Sequence, residues 1–206
     1  MNNGSAYNDN VITDQHALIQ RRWLGLHFLY LLAMMFVTVA ILTAAMVLQY
    51  AYGELPCPLC LLQRVAMLGV CFGIMLQFRT GLSFQNAGIS LLFAIFLLVV
   101  SVRQTLLDIY TRPGHEYIGS AVFGLHMPVW SVLIALALII ATAVQMMVWG
   151  GTHYRKGTRV KSFPLIRALA LLLSLYVVVI TVVNMVSVFL QCGTGQCHTY
   201  GYALLQ

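Results

Sequence analysis

The stretch Pro56-Cys57-Pro58-Leu59-Cys60-Leu61-Leu62-Gln63-Arg64 lies between two long apolar runs and joins a pair of close cysteines to a nearby arginine. Proline is favoured at the first position of a helix, where its missing N–H is not needed. A helix opening at Pro58 makes Cys57 its N-cap and sets Cys60 and Arg64 on the same face. A sulfur at a helix N-terminus meets free backbone N–H groups and the positive end of the helix dipole, and both favour its thiolate. The guanidinium of Arg64 adds a fixed positive charge for a second thiolate, or a donor for a polar ligand group. The stretch reads as a redox dithiol at a membrane surface.

Composition supplies the membrane. The 206 residues are 61% hydrophobic and only 8% charged, with a mean hydropathy of +0.88; a soluble domain is about 25% charged. The apolar residues fall in runs of about 20 or more, enough for a helix to cross a hydrocarbon core of roughly 30 Å. The fold expected is an all-α integral membrane protein. Its spans run over about 23–50, 61–78, 89–107, 128–149 and 165–190. Residues 1–20 are polar, without an apolar period, and are expected to form a loose cytoplasmic tail. The first span is longer than the core of a signal peptide and is read as retained. The organisation is then the tail 1–20, a four-span bundle 21–150, a basic loop 151–164, a fifth span 165–190 and an outer tail 191–206. No internal repeat and no soluble domain is legible.

Lysine and arginine set the orientation. With the N-terminus inside, the inner segments hold Arg21, Arg22, Arg79, Arg155, Lys156, Arg159, Lys161 and Arg167, and the outer side holds Arg64, Arg103 and Arg112. The net charge of +6 is therefore an orientation signal and not a nucleic-acid footprint. Five spans place the C-terminus outside, so Cys57, Cys60, Cys192 and Cys197 share one face. In a bacterium that face of the inner membrane is the oxidising periplasm.

From Gln49 to Arg64 the chain resembles the DsbB family, membrane enzymes that re-oxidise periplasmic thiol oxidases with quinone. The resemblance rests on Gln49 at the end of the first span, Pro56 before the first cysteine, and the pattern of Cys57, Leu59, Cys60 and Arg64. A second stretch, Phe123-Gly124-Leu125-His126-Met127-Pro128-Val129-Trp130, looks like the family's entry into its fourth span, and Arg103-Gln104 is a weaker match. The resemblance implies catalytic Cys57 and Cys60, a quinone (ubiquinone or menaquinone) held by Arg64 and Gln49, and a DsbA-like periplasmic thiol oxidase as partner. A partner as oxidising as DsbA, near about −120 mV, needs an electron acceptor of higher potential than the glutathione pool.

The chain departs from the family pattern in one respect. The family carries a second cysteine pair between its third and fourth spans, and here residues 108–128 contain none. Instead the fifth span leads to Gln191-Cys192-Gly193-Thr194-Gly195-Gln196-Cys197-His198. Two glycines let the intervening residues turn back, so that Cys192 and Cys197 can bond, and a small exposed ring of this kind exchanges readily. These two cysteines are expected to take electrons from the partner and pass them to Cys57 and Cys60.

Each feature has a plainer alternative. The tail disulfide is otherwise a staple, which would make the chain a structural membrane subunit. The four outer cysteines could instead hold a structural metal, since a closed zinc site takes four ligands. Arg64 is otherwise an interfacial side chain reaching for lipid headgroups. Cys71, in mid-span, is expected to be a buried apolar thiol. His115, His126 and His198 are outer-side candidates for proton transfer, and segment 116–127 is expected to lie in the interface plane.

Overall fold

The computed structural model describes residues 3–53, 56–109, 124–150 and 163–193. They form five helices: α1 (Asn3–Ala51), α2 (Pro58–Thr80), α3 (Phe84–Ile109), α4 (Met127–Trp149) and α5 (Pro164–Cys192). All five are long and apolar enough to cross a membrane, α1 through its Leu18–Ala51 portion. The basic loop, most of the 116–127 segment, His115, Cys197 and His198 lie outside the described residues.

Helix α1 begins at Asn3, whereas a loose tail is expected over residues 1–20. Once the apolar span is helical, each residue added to it gains a backbone hydrogen bond without the cost of a new nucleus. No glycine or proline interrupts the chain between Ser5 and Arg22. The polar segment therefore continues the helix. The connection between the second and third helices is shorter than the expected spans 61–78 and 89–107 leave: it takes residues 81–83, and Asn86 and Gly88 fall inside α3. Gly81 takes a positive φ of 105° and donates its N–H to the Gln77 carbonyl. Ser83 then accepts the Asn86 N–H at 3.1 Å, and the Asn86 amide reaches back to Thr80 Oγ1 at 2.9 Å. Both helix ends are thus satisfied within one short turn.

In lipid the hydrophobic effect does not drive helices together, so close approach through small residues does much of the work. Along α2 these are Ala66, Gly69 and Gly73, and along α3 they are Ala87, Ser90 and Ala94. The ring of Phe93 lies over Gly69, and Ser90 lies over Gly73 and donates its hydroxyl to the Val70 carbonyl. Around this seam a single core joins Leu31, Met35 and Leu42 of α1 to Val70, Cys71 and Ile74 of α2. Leu97 of α3, Ala135 of α4 and Ile180 of α5 complete it. Cys71 is fully buried and free, as expected.

Helix α5 packs against α1 and α2. Polar pairs mark that contact: Thr43 with Tyr176 at 3.1 Å, and Tyr50 with Ser187. The other α5 faces expose Leu172, Leu175, Val182 and Phe189, as a lipid-facing surface does. The fifth helix is therefore part of the bundle, and the contact brings its last turn to the start of α2.

A Cβ at Gly73 would meet the Ser90 side chain and lie 2.7 Å from the Ser90 backbone nitrogen, whereas one at Gly88 meets nothing within 4 Å. Overpacking of this kind costs about 1–3 kcal/mol. Gly73→Ala is expected to lower the thermal unfolding midpoint of the detergent-purified protein, while Gly88→Ala stays at or above the parent value.

Candidate active site

The start of α2 is built as its sequence implies. Pro58 opens the helix, and Cys57 is the N-cap in extended conformation. The Cys57 sulfur accepts the Cys60 N–H at 3.1 Å. Cys57 and Cys60 are joined as a disulfide across a Cα–Cα distance of 5.0 Å. Cys57 is buried, and Cys60 is partly open. The sulfur that caps the helix is thus also half of the disulfide. Any negative charge it gains on reduction falls where the helix terminus favours it.

Arg64 does not reach outward. It is buried, with 7% of its surface exposed, and its guanidinium folds against the last two turns of α1. There it donates to Gln49 Oε1, to the Ala45 carbonyl at 3.0 Å and to the Met46 sulfur at 3.7 Å. A positive charge near a helix C-terminus is favoured by the dipole, and the planar fork can serve several acceptors at once. This geometry displaces the headgroup alternative for Arg64. The sequence-predicted pair Arg64 and Gln49 is brought together, one helical turn below Cys60.

A second set of polar residues touches the sulfurs from the other side. The Gln104 amide nitrogen of α3 lies 3.4 Å from both Cys57 Sγ and Cys60 Sγ. Its oxygen accepts from the Gln63 amide at 2.8 Å, and the Gln63 oxygen accepts from the Ser131 hydroxyl of α4 at 3.1 Å. Sequence reasoning noted Gln104 only as part of a weak family match and missed Gln63 and Ser131. The available signal was two glutamines in helices otherwise apolar at that level, because a buried amide in a span requires a partner.

The fifth helix reaches the same place. Gln191 is fully buried and donates its amide to the Pro56 carbonyl at 2.8 Å. The next residue, Cys192, is buried and disulfide-bonded. Cys197 lies outside the described residues. The last turn of α5 is therefore tied to the residue that precedes Cys57. His126 stands at the N-cap of α4 with an exposed side chain that makes no capping hydrogen bond.

The profile of the family "Disulfide bond formation protein DsbB" matches residues 27–116. Over these residues the chain is similar to the DsbB family. The matched region contains Gln49, Cys57, Cys60, Arg64 and Gln104 and ends before α4. The Met127-Pro128 motif and the whole of α5 thus fall beyond it. No curated relative and no solved structure matches the chain. Five helices long and apolar enough to cross a membrane mark a multi-pass membrane protein, and the likeness to DsbB proteins lies in its first three helices.

The Gln191–Pro56 bond predicts proximity of the two sulfur sites. In a Cys60→Ser, Cys197→Ser double variant, the remaining Cys57 and Cys192 are expected to form a disulfide under mild oxidant. Peptide mapping by mass spectrometry reads it directly. Gln191→Leu, which removes the bond, should lower its yield severalfold.

Proposed function

We propose that the protein is a protein-disulfide:quinone oxidoreductase of the bacterial inner membrane, with its C-terminus in the periplasm. It oxidises a DsbA-like thiol oxidase through Cys192 and Cys197 and passes the electrons through Cys57 and Cys60. The observation that carries this reading is the Cys57–Cys60 disulfide at the N-terminus of α2, in a DsbB-family region, with the end of α5 bonded beside it. A sulfur already committed to a disulfide has no thiolate to offer a metal, and this favours electron transfer over the four-cysteine metal alternative.

The residues divide the work. A partner thiolate attacks the tail disulfide and forms a mixed disulfide with one tail sulfur. The partner's second thiol then closes the partner's own disulfide and leaves the tail reduced. The tail dithiol repeats that exchange on Cys57–Cys60. Buried Cys57 follows Pro56, to which the end of α5 is bonded, and Cys60 is the more open of the two. Because both sites belong to one chain, the exchange is intramolecular and runs at high effective concentration.

The fit of a quinone rests on Arg64 and Gln49. They form a buried polar pair among apolar side chains one turn from Cys60, and a carbonyl-bearing, apolar ring requires donors in such surroundings. Arg64 would hold a ring carbonyl, and Gln49 would orient the arginine. A bound quinone supplies the sink for two electrons and two protons.

Reduced, detergent-purified protein mixed with a water-soluble short-chain quinone should form quinol, and Cys57→Ser or Cys60→Ser should abolish this. Arg64→Ala is expected to raise the quinone KM about ten- to a hundredfold, the loss of a charge-assisted hydrogen bond of roughly 1.5–3 kcal/mol. Thiol exchange with the partner should change less. An unchanged quinone dependence in Arg64→Ala would reduce the arginine to a brace for α1.

A further inference from the structure

We propose that Ser131, Gln63 and Gln104 form a directed hydrogen-bond chain that presents N–H donors to Cys57 and Cys60 and makes this pair more oxidising. The inference deepens the redox reading of that site and rests on it. Gln104 touches the reacting sulfurs, while Gln63 and Ser131 act as positioning residues through it.

The atoms at each contact give the chain one direction. The Ser131 hydroxyl lies 3.1 Å from the Gln63 oxygen, closer than its alternative acceptor, the Met127 carbonyl at 3.3 Å. With its oxygen so occupied, Gln63 turns its amide nitrogen to the Gln104 oxygen at 2.8 Å. Gln104 must then point its own nitrogen away from Gln63, and it meets both sulfurs at 3.4 Å. Flipping Gln104 alone would set two amide nitrogens against each other and a carbonyl against two sulfurs. Gln63 and Gln104 are both buried, so water offers them little competition. The chain crosses three helices, α2, α3 and α4, and ends on the two reacting atoms.

A disulfide sulfur is a weak acceptor, and a thiolate is a strong one. Donors aimed at the sulfurs therefore favour the reduced state over the oxidised one. When a thiolate attacks Cys57 Sγ, a new sulfur–sulfur bond forms to the attacker, the Cys57–Cys60 bond breaks, and Cys60 leaves as thiolate. When the attacker's second thiol loses its proton and closes its own disulfide, Cys57 leaves as thiolate in turn. Two electrons have then moved to the pair, and each sulfur can take up one proton. Gln104 is equidistant from both leaving sulfurs, so one amide serves both steps. Cys57 also has the Cys60 N–H at 3.1 Å, whereas Gln104 is the side-chain donor common to the two. A pair that accepts electrons from a strongly oxidising source needs its reduced form stabilised, and a neutral amide does this without burying another charge.

The test uses the full chain carrying Cys192→Ser and Cys197→Ser, so that Cys57–Cys60 is the exchanging pair. The protein is equilibrated in detergent with dithiothreitol redox buffers, without quinone or partner, and thiols are counted by alkylation and mass spectrometry. Gln104→Met, close in size, is expected to lower the equilibrium constant for reduction about tenfold, which is about 30 mV for two electrons. It should also move half-ionisation of the thiols to higher pH, read by thiolate ultraviolet absorbance. Gln63→Glu cannot donate to Gln104 and draws its N–H groups away from the sulfurs, so the constant should fall at least as far. An unchanged constant in either variant, at the parent's thermal midpoint, overturns the proposal. If neither variant folds, an unchanged constant in Ser131→Ala does so. Because the titration contains no quinone and no partner, it succeeds or fails apart from the oxidase reading.

Discussion

The structure depends on how the first turn of α2 is satisfied. A helix that starts at the edge of a hydrocarbon layer presents backbone N–H groups without intrahelical acceptors, and leaving them unpaired there is costly. Here a sulfur takes that position. Cys57 caps the helix through the Cys60 N–H and is bonded to the Cys60 sulfur. The same short segment thus starts a membrane-length helix and holds a disulfide. Pro56 offers its carbonyl to Gln191, and Pro58 fixes the first helical residue. The cap, the disulfide and the attachment of the fifth helix all meet within five residues.

The two sides of the disulfide differ in kind. On one side, Arg64 braces the end of α1 through Gln49 and the Ala45 carbonyl and brings a fixed positive charge below Cys60. On the other, neutral amides from α2 and α3 connect the sulfurs to Ser131 of α4. The charge suits a polar ligand group among apolar side chains. The amides suit a sulfur whose charge comes and goes, since they need no counter-ion when it is neutral. Helix α5 adds a third contact, through Gln191 on the Pro56 carbonyl. Every helix of the bundle supplies a side chain to this neighbourhood, although the family match covers only residues 27–116.

Much of this was legible in the sequence, because the relevant signals are local. Apolar runs of membrane length give the five helices, and Pro58 with Cys57 gives the helix start and its cap. Gln49 and Arg64 were paired by resemblance, and the reason they meet is that α1 ends where α2 begins. The rest was hidden because it depends on packing between distant segments. Gln63, Gln104 and Ser131 come from three helices, and nothing in their spacing announces a chain of bonds. Gln191 looked like the first residue of a tail; its burial follows from α5 lying against α1 and α2, which no one-dimensional pattern states. The polar stretch before Arg21 misled in the opposite sense, since low hydrophobicity argued for a loose tail where helix propagation continued to Asn3.

The central claim is that electrons enter through the fifth helix and reach the Cys57–Cys60 pair within the same chain. The most direct measurement compares the parent with a Cys192→Ser, Cys197→Ser double variant, each supplied with quinone and either a reduced DsbA-type partner or free dithiothreitol. The account predicts that the double variant loses partner oxidation while dithiothreitol still drives quinone reduction through Cys57 and Cys60. Partner oxidation at the parent rate in the double variant would contradict it: the partner would then reach Cys57 or Cys60 directly, and the tail disulfide would be a staple.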